Sequence, residues 1–214
     1  MMPGPSTRNL RQLPDVFSLK RLLQSVAMLD AIICPRWEYR RYSFNSNWAT
    51  GEMMGSMRNG QGDDFFAAFN CHGAFIKGFD HESPAASLQV PSEQFYRYLP
   101  HQFAAFSREP AFSPQSVTFC MWRLSEESAW SSANITLPES EDSDGSAHLL
   151  EILDCLPETY LRRATEYYGS EVSPQAVIAL YEHRALTEGI LVSLNPKCSL
   201  TSLRDDIAEI GYPT

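Results

Sequence analysis

The chain has 214 residues, of which 43% are apolar and 20% are charged, and its formal net charge at pH 7 is -9. This composition is close to that of ordinary globular proteins, and it excludes collagen-like, coiled-coil and intrinsically disordered chains. The acidic balance also argues against nucleic acid as the main ligand, because nucleic-acid binding gains most of its affinity from clustered positive charge.

The first predicted elements are an N-terminal arm and a long helix. Residues 1–14 contain three prolines and a glycine among polar residues, so we expect a flexible arm here. Apolar residues then recur at helical spacing from Leu19 to Ile33, and Cys34-Pro35 ends the pattern. The sequence therefore predicts an arm over residues 1–14 and a single domain over residues 15–214.

Residues 37–137 are predicted to supply a mainly antiparallel sheet of about five to six strands. Short aromatic-rich runs with a period near two alternate here with Gly, Asn and Asp. The clearest feature is a hairpin around Cys71-His72-Gly73, in which Gly73 can supply the positive φ of a tight turn. The predicted strands cover 37–44, 53–58, 65–70, 74–79, 117–124 and 134–137, and a helix is predicted over 92–99.

Residues 146–210 are predicted to be helical. Pro157 opens one helix that Gly169 closes, Ser173-Pro174 opens the next, and Asn195-Pro196 ends a third. A helix, then a sheet, then a run of helices is the element order of an α+β fold. We expect the N-terminal helix and the C-terminal helical segment to cover the sheet.

Neither a disulfide framework nor a metal site is indicated by the five cysteines, which are scattered and contain no C-x-x-C pair. The uncharged runs are too short or too polar to cross a bilayer, and the N-terminal residues do not form an export signal. The common nucleotide-binding and acyl-transfer motifs do not occur. We therefore expect a cytoplasmic protein with no cofactor, no bound metal and no membrane partner.

Candidate catalytic residues lie at the two ends of the second hairpin strand. Asp80-His81-Glu82 follow this strand and His72 precedes it, and a histidine beside carboxylates can act as a base or a metal ligand. Two upstream acids, Asp63 and Asp64, complete the set of a small metal-assisted hydrolase. Against this function, adjacent residues on an extended chain point to opposite faces, and a whole strand separates the two histidines. The alternative is a solvated loop that caps neighbouring backbone groups.

A stretch without Lys or Arg, from residue 124 to residue 161, carries the whole net charge. It predicts a recognition surface for a basic protein partner, with Trp130 as an apolar anchor. The loop acids of this surface are Glu139, Glu141, Asp142 and Asp144. Ser140–Glu151 also fits part of a calcium-loop template, although Ser140 stands where the template requires Asp. The alternative is a solvated loop that caps the next helix.

Basic and aromatic residues alternate between Arg36 and Trp48, a pattern typical of a platform on which single-stranded bases stack. The same residues suit a half-buried sheet, because aromatic residues favour strands and arginine stacks on them. The pattern by itself leaves both interpretations open.

Four sequence blocks resemble a family of uncharacterised bacterial proteins. The blocks are YSFNSNW (42–48), GEMMGSMRNG (51–60), GAFIKGFDHESP (73–84) and IAEIGYP (207–213). The resemblance spans residues 15–213, and it implies no activity and no catalytic residue. Size, acidity and the absence of catalytic motifs are also similar to those of stand-alone bacterial immunity proteins.

The sequence as a whole predicts a cytoplasmic, non-enzymatic binding module, of the immunity type that neutralises a toxin. The scattered His, Asp and Glu residues form no set of acid, base and orienting group within one local segment. The alternative function is the metal-assisted hydrolase built on the Asp80-His81-Glu82 loop.

Overall fold

An antiparallel meander of six strands forms the centre of the computed structural model, which describes residues 4–169 and 171–214. Each strand is hydrogen-bonded to its neighbours in the chain, so the order in the sheet is the order in the sequence. The strands are β1 (Tyr42–Ala49), β2 (Glu52–Arg58), β3 (Asp64–Asn70), β4 (Gly73–Phe79), β5 (Phe119–Leu124) and β6 (Ser131–Ser132). The predicted α+β fold with an antiparallel sheet is confirmed.

The β3–β4 hairpin forms around the predicted turn. Asn70 pairs with Gly73, and Gly73 has a φ of +140°, which only glycine adopts without strain. A side chain at this position would also overlap the Arg123 carbonyl oxygen on β5. Backbone conformation and close strand approach therefore both require glycine here.

β1 differs from its prediction at both ends. Trp37–Tyr39 form a 3-10 turn, so the strand begins at Tyr42 rather than at Trp37. The strand also continues past Phe44, and its register with β2 shifts between Asn45 and Ala49. β1 is an edge strand, where a bulge and polar side chains are tolerated because one side of the strand needs no ladder partner.

One face of the sheet is covered by α1 (Val16–Ile33), and the C-terminal helices pack on α1 in turn. Asp15 caps α1 by accepting a hydrogen bond from the Ser18 backbone N–H. The other helices of this layer are α5 (Pro157–Tyr168), α6 (Pro174–Tyr181), α7 (Glu188–Leu194) and α8 (Arg204–Ile210). Side chains of α1 such as Leu23 and Val26 share one buried cluster with Phe44, Phe65 and Phe69 of the sheet.

The opposite face is covered by the long β4–β5 connection, a layer for which the sequence predicts only one helix. This connection contains α2 (Pro84–Ser87), α3 (Ser92–Tyr96) and three 3-10 turns. Its buried aromatic side chains pack on Phe66, Phe75 and Trp122 of the sheet. They are Phe95, Phe103, Phe106 and Phe112. Burial of each such ring contributes about 1.5–3 kcal/mol, so short turns without regular helix suffice to hold this layer.

Residues 4–14 contact the rest of the fold in the part of the arm that the structure describes, and the flexibility predicted for residues 1–14 stays a prediction. Leu13 is buried, and Leu10–Gln12 form a 3-10 turn. Thr7 Oγ1 donates to Asp144 Oδ2 at 2.5 Å, and Arg8 Nη1 donates to the Ser140 carbonyl oxygen at 2.6 Å. The arm is thereby fixed to the loop before α4 (Ser146–Leu149). Residues 1–3 of the predicted arm lie outside the described residues.

Candidate functional site

Asp63 and His81 meet at the end of the sheet where β2 leads to β3 and where β4 ends. His81 Nδ1 lies 2.6 Å from Asp63 Oδ1, and the His81 backbone N–H donates to the same oxygen at 3.0 Å. Asn59 Nδ2 donates to the other oxygen, Asp63 Oδ2, at 2.5 Å. Asp63 is 8% exposed, whereas His81 is exposed. A buried carboxylate therefore holds and orients a solvent-facing imidazole.

The electrostatics of this pair favour its charged form. Partial burial acts to raise the pKa of Asp63, but hydrogen bonds from His81 and Asn59 outweigh it and hold that pKa below its usual value. The hydrogen bond with Asp63 also raises the pKa of His81 above its usual value. His81 thus keeps its proton to higher pH than a free histidine, and it exposes a ring edge that can donate to or exchange a proton with a bound group.

Asp80 completes a cluster of three possible metal ligands with Asp63 and His81. One ligand atom from each of the three residues lies within 4.8 Å of the others. The Asp80 carboxylate also accepts a hydrogen bond from the Glu82 backbone N–H at 2.9 Å. Two carboxylates and an imidazole are ligands that Mn²⁺ and Zn²⁺ take in proteins, so this set could hold a divalent cation.

The remaining predicted catalytic residues lie outside this cluster. His72 is in the β3–β4 turn, at the opposite end of β4 from His81. Glu82 is exposed and does not belong to the cluster of ligand atoms. Asp64 instead forms an ion pair with Lys77 at 3.1 Å, and Lys77 also donates to the Phe112 and Ser116 carbonyl oxygens in the β4–β5 connection. Of the six residues predicted for a hydrolase, the fold brings together Asp63, Asp80 and His81.

Trp130 is buried, and its prediction as an exposed anchor is wrong. Its side chain is 4% exposed and belongs to the main core, and its Nε1 donates to the Pro14 carbonyl oxygen at 2.8 Å. Residues 131 and 132 pair with β5, which brings this ring under the N-terminal segment. An indole buried in this way is unable to reach a partner.

Two of the four loop acids of the predicted acidic surface form hydrogen bonds within the chain. Asp142 accepts hydrogen bonds from the Ala147 and His148 backbone N–H groups, and Asp144 accepts from Thr7 and Ser146. Most of these bonds fit the alternative interpretation, in which the loop acids cap the helix that follows. Glu139 and Glu141 are exposed. A basic partner for the exposed acids stays a prediction.

The calcium-loop template is not realised by Ser140–Glu151. Its last residue, Glu151, forms ion pairs with Arg162 and Arg163 of α5, and its central acids bind backbone N–H groups. The Ser140 hydroxyl lies 3.0 Å from the Ser143 hydroxyl. The acids that a calcium ion would require therefore already have partners within the chain.

Three exposed aromatic rings, each with a guanidinium over its face, lie at the same end of the sheet. The exposed fractions are 50% for Trp37, 51% for Tyr39 and 36% for Tyr167. Arg58 lies 4.8 Å from the Trp37 ring centroid, Arg36 4.3 Å from that of Tyr39, and Arg41 5.8 Å from that of Tyr167. We call these six residues the arginine–aromatic surface.

Two of these arginines have no carboxylate partner. Arg36 pairs with Glu38 at 3.0 Å, but neither Arg41 nor Arg58 forms an ion pair with any residue in the described ranges. The buried Arg41 Nε also has no hydrogen-bond partner among them. The Arg58 backbone N–H donates to the Arg41 carbonyl oxygen at 2.8 Å, which holds the two residues side by side. Arg58 still acts electrostatically on Asp64, its cross-strand neighbour, so the two adjacent arginines are free of direct ion pairs, and this leaves them able to bind an external anion.

The sequence pattern between Arg36 and Trp48 gives only part of this surface. Arg58 comes from the end of β2 and Tyr167 from α5, and no local pattern links either residue to Trp37. Phe44, which belongs to the alternating pattern, is buried in the core, and Trp48 stacks on Phe112 of the β4–β5 connection. Strand pairing and the packing of α5 decide which of these residues share one surface.

Comparison with models of protein families, with curated proteins and with solved structures found no match to this chain. No helix among the described residues is long and apolar enough to cross a membrane.

Proposed function

We propose that this chain is a binding module that recognises an acidic segment of a protein partner through the arginine–aromatic surface. The observation that carries the proposal is the exposure of Trp37, Tyr39 and Tyr167 beside the unpaired Arg41 and Arg58. Tryptophan, tyrosine and arginine are the residues that dominate the binding energy of protein interfaces. Exposed rings of this size are left in water at a cost unless a partner covers them.

Charge favours a protein over a nucleic acid as the partner. The chain carries a net charge of -9, which disfavours a nucleic acid because binding of its long phosphate backbone depends on clustered positive charge. A protein partner needs to bring only one or two carboxylates to Arg41 and Arg58, where charge-assisted hydrogen bonds form. In the immunity-type version of this proposal, the partner is a toxin that is neutralised in the cytoplasm.

The experiment places a photo-crosslinking amino acid at position 37, at position 39, or at the control position 98. Tyr98 is 63% exposed but does not belong to the arginine–aromatic surface. We expect one protein to be crosslinked from positions 37 and 39 and not from 98. Its purified form should bind the unmodified chain, and Trp37→Ala and Arg58→Ala should each weaken binding about tenfold or more, whereas Tyr98→Ala should leave binding unchanged.

Two results would contradict this proposal. One is the absence of any crosslink at positions 37 and 39 above that at position 98. The other is saturable binding of a fluorescent single-stranded oligonucleotide at physiological salt that Trp37→Ala abolishes, which would make the surface a base-stacking platform.

Metal-assisted hydrolysis is a second candidate function, and the clustering of Asp63, Asp80 and His81 within 4.8 Å favours it. A cation held there would polarise a bound oxygen and generate a nucleophilic hydroxide. Titration with Mn²⁺ or Zn²⁺ tests the site: we expect stoichiometric binding that His81→Ala removes and His72→Ala leaves intact. Equal binding by the two variants would contradict this function.

A further inference from the structure

A groove of about 570 Å³ opens at the end of the sheet opposite the Asp63–His81 pair. It lies between the first turns of α1 and the turns that join β1 to β2 and β3 to β4. Met53 and Phe69 of the sheet line it together with Val16 and Phe17 of α1. Phe17 is 61% exposed, so an apolar wall faces water. The volume lies within the range of small-molecule sites, which is about 300–1,000 Å³.

Two basic side chains, Lys20 and Arg123, also line this groove. Lys20 Nζ lies 5.8 Å from the Phe17 ring centroid, and Arg123 Nε donates to the Glu127 carbonyl oxygen at 3.1 Å. Neither forms an ion pair with a carboxylate in the part of the chain that the structure describes. The charge of Arg123 acts on Asp15 and helps to lower the pKa of that acid, but neither base is held in a direct ion pair, so both can still bind an anion in the groove.

The one acid that lines the groove, Asp15, is already engaged. Asp15 Oδ1 accepts from the Ser18 backbone N–H at 3.0 Å and Oδ2 accepts from the Ser18 hydroxyl at 2.8 Å. These bonds lower the pKa of Asp15, so it stays ionised as the cap of α1. One acid and two bases leave a net charge of about +1 on the groove, which matches a single carboxylate.

We infer that this groove binds a small molecule that joins an apolar chain to a carboxylate, such as a medium-chain fatty acid. The apolar chain lies along Met53, Phe69 and Phe17, and the carboxylate lies against Lys20 and Arg123. Removal of apolar surface from water supplies affinity, and the charge-assisted bonds set the orientation of the ligand. The other conceivable occupant, an apolar side chain of a protein partner, would need no carboxylate.

Cys71 provides a direct reporter of occupancy, because it is exposed and lines the groove. Cys155 is also exposed but does not line it, so the same sample contains its own control. Decanoate, kept below its micellar concentration, is the probe. We expect it to slow modification of Cys71 by a thiol reagent several-fold and to leave the rate at Cys155 unchanged. Calorimetric titration of the same protein gives the Kd independently of the thiol.

Variants and a matched ligand separate the contribution of the carboxylate to binding from that of the apolar chain. We expect Lys20→Ala and Arg123→Ala each to weaken decanoate binding about tenfold, because each removes a charge-assisted bond. The control Lys197→Ala alters an exposed lysine that does not line the groove, and it should not change the Kd. Decanol has the same chain without the carboxylate and should bind more weakly by a similar factor.

Three outcomes overturn the inference. They are the absence of both heat and Cys71 protection with decanoate, equal binding of decanol and decanoate, and unchanged binding in the Lys20→Ala and Arg123→Ala variants. Equal binding of the two ligands would identify an apolar docking groove instead. The groove and the arginine–aromatic surface are at opposite ends of the sheet, so failure of one leaves the other testable.

Discussion

The Tyr160 hydroxyl donates to Asp30 Oδ1 at 2.8 Å, and both residues are fully buried between α1 and α5. The second carboxylate oxygen, Asp30 Oδ2, accepts from the Tyr42 backbone N–H at 2.7 Å. One acid on the first helix thereby links the C-terminal helical layer to the first strand. The donors around this buried carboxyl are neutral, so its protonation state should affect the free energy of unfolding.

The first prediction concerns the pH dependence that Asp30 confers. Desolvation raises the pKa of Asp30 from 3.8 to about 6, despite the hydrogen bonds from Tyr42 and Tyr160. Between pH 3.8 and about pH 6, the Asp30 carboxyl therefore carries more proton in the folded state than in the unfolded state. The contribution of Asp30 to stability is therefore fully present below pH 3.8 and is lost as the pH rises to about 6, a loss of about 3 kcal/mol.

Urea denaturation from pH 3.5 to pH 7 checks this prediction in wild type and Asp30→Asn. The free energy of unfolding of wild type, relative to that of Asp30→Asn, should fall through this range. The control Asp205→Asn alters an aspartate whose side chain is 95% exposed, and it should preserve the wild-type slope. Parallel curves for wild type and Asp30→Asn would show that the buried carboxyl does not titrate as described.

A second prediction concerns the Asp63–His81 pair. Asp63→Asn removes the carboxylate whose hydrogen bond and negative charge raise the pKa of His81, so that pKa should fall towards the ordinary value of 6.5. NMR titration of the histidine ring signals measures the change. The signals of His72, at the far end of β4, serve as the control and should be unaffected. An unchanged His81 titration would mean that the two side chains do not pair in solution.

The third prediction compares two tryptophans. Trp130→Ala leaves a cavity in the main core and an unpaired Pro14 carbonyl oxygen, so we expect it to destabilise the protein by about 3–5 kcal/mol. Trp37→Ala removes an exposed ring and its contact with Arg58, which should cost less than about 1 kcal/mol. Chemical denaturation of the two variants measures the difference. Similar destabilisation by both would contradict the burial assigned to Trp130.

The fourth prediction concerns the docked N-terminal segment. Arg8→Ala removes hydrogen bonds to the Ser140 carbonyl oxygen and the Ser143 hydroxyl, so the loop before α4 should open more often. Hydrogen exchange of residues 138–146 should become faster in this variant. The control Arg11→Ala changes an exposed arginine of the same segment and should leave exchange in the loop unchanged. Equal exchange in the two variants would indicate a detached arm.

Local features of the sequence determined most of the elements of this protein. The period of apolar residues defined α1, the positive φ available to Gly73 defined the β3–β4 hairpin, and Pro157 with Gly169 bounded α5. Each of these signals acts through backbone geometry or through burial of one face, and both are properties of a short stretch of chain.

Only the tertiary structure decided which side chains share a site. Asp63 and Asp64 are adjacent, yet Asp63 meets His81 while Asp64 meets Lys77, because strand pairing and the alternation of faces assign them different neighbours. Burial of Trp130 followed from the pairing of residues 131 and 132 with β5, and Tyr167 reached Arg41 through the packing of α5. Contacts between residues distant in sequence depend on how whole elements pack, and no local pattern encodes that packing.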